Sequence, residues 1–145
     1  MVVFPLMPFA TTLMPSLAVG QFKAQLLEAG IPCQVMPCNF ELMAAMGLGA
    51  YETIGKLRGI NAQLGEWLFA REVWDTPCGP NDTTFFAGCP VELESLRMTN
   101  PQEFLLHLRD KVVPQFLDSC TERVLAIPDL RVFGFSFLFF QTMAS

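Results

Sequence analysis

Two short apolar runs without a single charge constrain this chain more than anything between them. Val2–Met7 lies near the start, and Val132–Phe140 lies within the final stretch, Arg131–Ser145 (RVFGFSFLFFQTMAS). Runs that are apolar at nearly every position, not at alternate ones, read as strands buried on both faces, the habit of parallel sheets. Such a strand needs a layer on each side. The chain stops before any element that covers its last run, so the sequence reads as the first half of an α/β domain whose second half is missing.

Between the two runs the pattern is helical. Ser16 stands where an N-cap belongs, and the helix Leu17–Ala29 follows, with Val19, Phe22 and Leu26 on one face. Gly20 inside it fits a close approach to a sheet or ligand. Gly30 and Pro32 stop the helix, and Cys33–Met36 reads as a second strand, completing a βαβ unit with parallel strands. Residues 39–128 then read as a large helical insertion between the second and third strands. It contains Glu41–Arg58 divided near Gly47 and Gly49, Gln63–Trp74, a loop over Thr76–Pro90, and a short helix over Val91–Arg97. Asn100, Pro101 and Glu103 have the pattern of an N-cap, a first-turn proline and a capping-box partner. The helix they open holds Leu105, Leu108, Val112 and Phe116 at helical spacing. Pro114 is expected to kink or break it, and Arg109, Asp110 and Lys111 read as its solvated face. The predicted fold is an incomplete α/β, Rossmann-like (flavodoxin-like) three-layer parallel sheet carrying that insertion.

Composition excludes several classes. With 52% hydrophobic and 16% charged residues the 145-residue chain has ample material for a core. A net charge of -5 without a Lys/Arg cluster argues against a nucleic-acid partner. Five cysteines without a CxxC argue for reduced thiols in a cytoplasmic protein, and Cys33 and Cys38 make a poor metal pair. No basic n-region precedes the first run, Pro5, Pro8 and Pro15 interrupt it, and the last run is too short to span a bilayer, so no membrane is expected. No Walker loop, GxGxxG or Ser/His/Asp set is present. Glu66 is a weak catalytic candidate, Trp67 and Trp74 read as core or interdomain packing, and His107 reads as a solvated histidine.

In open α/β sheets ligands bind beyond the carboxyl ends of the strands. Those ends are Met7–Ala10, Cys38–Asn39 and Ser136–Gln141. Several segments around them form a set: MPFA at Met7–Ala10, PSLAVG at Pro15–Gly20, LLEAGI at Leu26–Ile31, NFELMAAMGLGAYETI at Asn39–Ile54, LGEWLFA at Leu64–Ala70 and FGFSFLFFQTMAS at Phe133–Ser145. In order and spacing they resemble the N-terminal region of cobalamin-dependent radical S-adenosylmethionine enzymes that mature ribosomally made peptides such as bacteriocins. The resemblance implies a cobalamin-binding Rossmann-like domain, truncated before the barrel that carries the iron–sulfur cluster and S-adenosylmethionine and methylates a precursor peptide. The cluster signature CxxxCxxC is absent, so catalysis is not expected of this chain alone.

The resemblance implies that Met7, Pro8, Phe9, Ala10, Ser136, Phe137, Phe139 and Gln141 face the corrin, with Ser16 at a helix N-terminus able to receive a phosphate or amide oxygen. The plain alternative is packing for Met7, Phe9 and Phe137 and simple capping for Ser16. The cobalt-ligating pattern Asp-x-His-x-x-Gly is missing, which leaves the lower axial position to water, to nothing or to an apolar neighbour such as Phe9. A competing reading is a non-catalytic relative whose apolar insertion, with Trp67, Phe69 and Trp74, holds a precursor peptide or a partner protein. A third is a degenerate reading frame without a function. The uncovered last strand presents an apolar edge, Leu138–Phe140, open to pairing with another chain. The isolated chain is therefore expected to self-associate in gel filtration; a monodisperse monomer that melts cooperatively would contradict the half-domain reading.

Overall fold

The computed structural model describes residues 1–56, 64–74 and 81–135. The chain is α/β, with a small parallel sheet and a predominance of helix. Its elements are β1 (Val2–Pro5), α1 (Leu17–Glu28), β2 (Cys33–Met36), α2 (Cys38–Met46), α3 (Leu48–Lys56), α4 (Leu64–Val73), α5 (Asp82–Ala87), α6 (Pro90–Ser95), α7 (Pro101–His107), a π-helical turn (Leu108–Val112), α8 (Val113–Leu125) and β3 (Val132–Phe133). Among the described residues no helix is long and apolar enough to cross a membrane.

The described sheet has three strands in the order β2-β1-β3, all parallel. β1 sits at the centre because both of its edges are used: Val3 lies opposite Gln34 on one side and Phe133 on the other. Burial alternates along β1, with Val3 and Pro5 buried and Val2 and Phe4 only partly covered, and Val132 of β3 is exposed; the expected burial of the strands on both faces is therefore corrected to one fully covered face. Pro5 ends the strand two residues earlier than the apolar run predicts. A proline gives no N–H to a ladder, so it stands where pairing is about to stop. The amino group of Met1 donates to the Asp129 carbonyl at 2.7 Å, and Arg131 N–H donates to the Met1 carbonyl at 2.9 Å, which draws β3 alongside β1.

Helix α1 is held at both ends by local chemistry. The Ser16 hydroxyl accepts from Val19 N–H at 3.3 Å. Gly30, at φ 72°, makes the left-handed exit in which its own N–H reaches Leu27 and that of Ile31 reaches Leu26. The predicted apolar face is not buried as a whole: Val19 is inside, Phe22 is exposed beside the Phe4 ring, and Leu17 and Leu27 are exposed. Nothing lies within 4 Å of where a Gly20 Cβ would be, so the close approach expected of that glycine is not made.

The helices between β2 and β3 carry most of the core. Leu42, Met46, Tyr51, Ile54, Leu64, Leu68, Phe69, Phe86, Leu105, Leu108, Val113 and Phe116 are all buried in one cluster with Val3 and Met7. Three local expectations are corrected. Asp82–Ala87, inside the predicted loop, is a helix: the Asn81 side chain caps it by accepting from Thr84 N–H at 2.9 Å, and its Phe86 is buried. Asn100 and Glu103 do not form the backbone capping box; the Asn100 amide donates to the Glu103 carboxylate at 3.2 Å instead. Trp74 is exposed, not core.

The largest correction concerns Pro114 and Arg109. The helical path does not break at the proline. It widens first, with Val113 N–H bonding back to the Leu108 carbonyl, and Pro114 then falls in the opening turn of α8, where its missing N–H and its ring do least harm. The widened turn also re-aims the side chains. Arg109, expected on a solvated face, is only 4% exposed. It makes a two-pronged pair with Asp82 (Nη2 to Oδ2, 3.0 Å), donates from Nε to Asp110 at 2.7 Å, and lies 4.4 Å from the centroid of the Trp67 ring. Arg71 of α4 donates to the same Asp110 at 2.7 Å. Burial opposes the Arg109 charge, but hydrogen bonds to Asp82 and Asp110 more than offset it and hold the guanidinium ionised.

The hydrogen bond from Arg109 holds both the Asp82 and the Asp110 carboxyls below the usual aspartate range, against some burial. With folded-state values depressed, the unfolded chain binds more protons in acid. The stabilisation is complete above the unfolded aspartate range, about pH 4, and is lost as pH falls through the depressed values. Arg109→Met is expected to cost about 2 kcal/mol, the scale of charge-assisted hydrogen bonds to partners that are partly solvated. Urea unfolding between neutral pH and about pH 2.5 checks both points: the variant loses stability at neutral pH and shows a shallower acid limb than the parent.

Candidate functional site

The sheet order places one point where the chain leaves β1 toward β2 on one side and later returns to β3 on the other. A crevice opens at the carboxyl ends of strands where successive connections diverge in this way. In this chain it falls after Pro5 of β1, between the exits of β2 and β3.

The structure has a cavity of about 210 Å³ there. Its wall comes from Pro5 and Met7, from Met36 and Cys38 at the exit of β2, from Phe133 and Phe135, and from α8 through Leu117, Cys120, Thr121, Val124 and Leu125. The lining is almost wholly apolar, with the two thiols and the Thr121 hydroxyl as its polar functions. Pockets that enclose drug-sized ligands run to about 300–1,000 Å³, so this space takes a small apolar group or the edge of a larger flat one. At the β3 side, a Cβ on Gly134 would come within 3.2 Å of the Phe4 ring, so the absence of a side chain there lets the strand pass close to β1.

The residues expected to form the site divide. Met7 lines the cavity. Pro8 is buried beside it. Phe9 turns away: at φ 64° its ring stacks on Tyr51 with centroids 5.5 Å apart and meets Phe69 edge-on at 6.4 Å. The Ala10 carbonyl accepts from the Tyr51 hydroxyl at 2.9 Å, and burial pushes the Tyr51 phenol well above its usual range, so it stays a donor. Thr12 donates to Glu52 at 2.5 Å, which pins the continuing loop to α3. Ser16 is an N-cap and lies outside the cavity wall. Ser136, Phe137, Phe139 and Gln141 lie outside the described residues.

Beyond the residues expected to face a ligand, the exit of β2 (Cys38–Asn39) and Cys120 of α8 supply a buried amide and two thiols. Asn39 is 1% exposed; its N–H donates to the Leu6 carbonyl at 2.8 Å, while among the described residues its side-chain oxygen has no hydrogen-bond donor. Cys38 opens α2 immediately after β2, where free N–H groups favour a thiolate. Contact with the Cys120 thiol, opposed by burial and aided by Arg123, holds Cys38 below the usual thiol range. The same contact, with burial, pushes Cys120 up. Cys120 had a sequence signal: it continues the Val113–Phe116 stripe of α8 at helical spacing, all three being buried.

No family model, no curated protein and no solved structure matches the chain. The chemistry of the site therefore rests on its own residues: an apolar recess at the strand exits, a locked β1 loop, and a paired thiol at a helix N-terminus.

The lock on the loop is testable. Tyr51→Phe removes the donor to the Ala10 carbonyl and is expected to cost about 1–2 kcal/mol, the usual toll for a partly buried carbonyl left without its donor. Thermal or urea unfolding reads the loss; an unchanged stability would mean that the Ala10 carbonyl is satisfied without Tyr51.

Proposed function

We propose that this chain is the cobalamin-binding segment of a radical S-adenosylmethionine methyltransferase-type enzyme acting on a ribosomally made precursor peptide. The observation that carries the reading is the parallel β2-β1-β3 sheet with its crevice at the β1 and β3 exits, where the MPFA segment and Phe133–Phe135 meet the sheet. The finer architecture belongs to the same proposal: an incomplete Rossmann-like, flavodoxin-like domain, with α2 to α8 as its insertion. The strand order is that of the first three strands of flavodoxin-like sheets, whose ligand lies at the β1/β3 switch point.

The fit to a corrin is partial. The apolar wall of Met7, Phe133 and Phe135 suits the edge of a flat macrocycle. The recess of about 210 Å³ does not by itself hold a whole corrin. The reading therefore assigns the remaining contacts to Ser136, Phe137, Phe139 and Gln141. Bound cobalamin would supply methyl-carrier chemistry; the role of the described residues is to bind and orient it, with the Tyr51–Ala10 bond holding the β1 exit loop in one geometry.

A second reading is the interaction module, but not through the insertion aromatics expected to hold a partner: Phe69 is fully buried and Trp67 is stacked on Phe85 beneath Arg109, which leaves only Trp74 of the three exposed. The α1 side exposes Leu13, Met14, Leu17, Phe22 and Leu27, with Leu17 88% exposed. Exposed apolar side chains spread round one helix suit an interaction module that binds a peptide or a protein partner.

Hydroxocobalamin mixed with the full chain and passed through gel filtration separates the two. Co-elution of corrin absorbance with the protein, reduced about tenfold in affinity or about 1.4 kcal/mol by Met7→Glu, is the expected result. Elution of all the corrin at small-molecule volume, from protein that still melts cooperatively, would overturn the cobalamin reading and leave the interaction module.

A further inference from the structure

The cavity at the strand exits holds a feature that ligand binding does not need. Cys38 and Cys120 line the same recess, 0% and 7% exposed, and come from different elements, the first residue of α2 and the third turn of α8. The two thiols lie against each other across the recess. One turn beyond Cys120, Arg123 ion-pairs with Glu41 of α2. That pair crosses between the same two helices and holds the thiols in register. The other described cysteines have different surroundings: Cys89 donates to the Phe85 carbonyl at 3.2 Å, and Cys33 donates to the Lys23 carbonyl at 3.7 Å.

We infer that Cys38 and Cys120 form a reversible thiol–disulfide pair, with Cys38 as the attacking sulfur, Cys120 as the resolving one, and a small neutral hydroperoxide as the oxidant. The recess admits a molecule of that size, and its apolar lining favours an uncharged one. The asymmetry between the sulfurs sets the order. Cys38 has the helix N-terminus and Arg123 beside it, both of which favour its thiolate, whereas Cys120 sits buried in the middle of α8, where burial keeps its proton on. In the first step the Cys38 sulfur bonds to one peroxide oxygen and the O–O bond breaks. The leaving oxygen takes a proton from solvent, and Cys38 becomes a sulfenic acid, oxidised by two electrons. In the second, Cys120 gives up its proton, its sulfur bonds to that of Cys38, and the S–O bond breaks, the hydroxide leaving with that proton as water. The bond closes the cavity wall between α2 and α8 and is undone by a thiol reductant. The inference stands on the thiol pair and does not depend on cobalamin.

The reduced full chain, treated with hydrogen peroxide, alkylated and digested, gives the test. A Cys38–Cys120 linked peptide is expected, in a chain lighter by two hydrogens and restored by dithiothreitol. In Cys120→Ser, Cys38 should stop at a sulfenic acid that dimedone captures; in Cys38→Ser, Cys120 should remain a thiol. Oxygen atoms retained on Cys38 in the parent chain without a cross-link, or linkage of either cysteine to Cys33, Cys78 or Cys89, would overturn the pairing. The parent-chain map needs no variant to fold.

Discussion

β1 has a hydrogen-bonded neighbour on each edge, and its position determines where a ligand can go. Four residues pair with β2 and two with β3. With both edges taken by parallel strands, neither neighbour can be reached by a tight hairpin, so each connection must travel through helix. The route to β2 is α1 alone; the route to β3 is the whole run from α2 to α8. The two routes diverge at the exit of β1, and the recess lined by Met7, Cys38, Cys120 and Phe133 lies where they part.

The helical run is held by a polar knot as well as by its apolar core. Arg109 reaches Asp82 of α5 and Asp110 of its own turn and covers the Trp67 ring of α4, while Arg71 binds Asp110 from the far side. A buried guanidinium with partners on every side is costly to strip and therefore specific about the arrangement it accepts. The proline that widens the preceding turn makes this possible, since it is the extra residue in that turn that carries Arg109 inward. A sequence defect in one element thus sets the contacts of two others.

The strands were legible as apolar runs, and β2 was predicted to its ends, but the two-sided burial read from those runs is not what they have: one face of β1 is fully covered, and Gln34 and Val132 are exposed. The capped ends of α1 were equally plain, since Ser16 and Gly30 act through their own local geometry. What was not legible depended on neighbours far along the chain. Asp82–Ala87 is short and sits among loop-forming residues, and its helix needs Phe86 to find the core. Arg109, Asp110 and Lys111 look like any solvated triplet until a non-helical repeat intervenes. At the site, the sequence pointed to the ends of β1 and β2, where the recess opens, but not to the direction of each side chain. Met7 faces the recess, whereas the next aromatic, Phe9, takes a positive φ and packs against Tyr51. The spacing of Val113, Phe116 and Cys120 marks a buried face of α8, but nothing in a sequence says that this helix lies across the strand exits.

Helix α1 stands apart from this network. Val19 is its one buried residue, and its other large apolar side chains remain in water. Its ends are tied by hydrogen bonds to itself, so its shape is secure while its attachment is slight. Regions with few buried contacts open without the rest of the molecule unfolding, at a free energy far below the global value. The amide protons of α1 therefore exchange with solvent on their own schedule, through excursions that leave β1, β2 and the helices around Phe69 intact. The βαβ unit contains both the strand paired on two edges and a helix with a single buried residue, and the boundary between two levels of local stability runs through it.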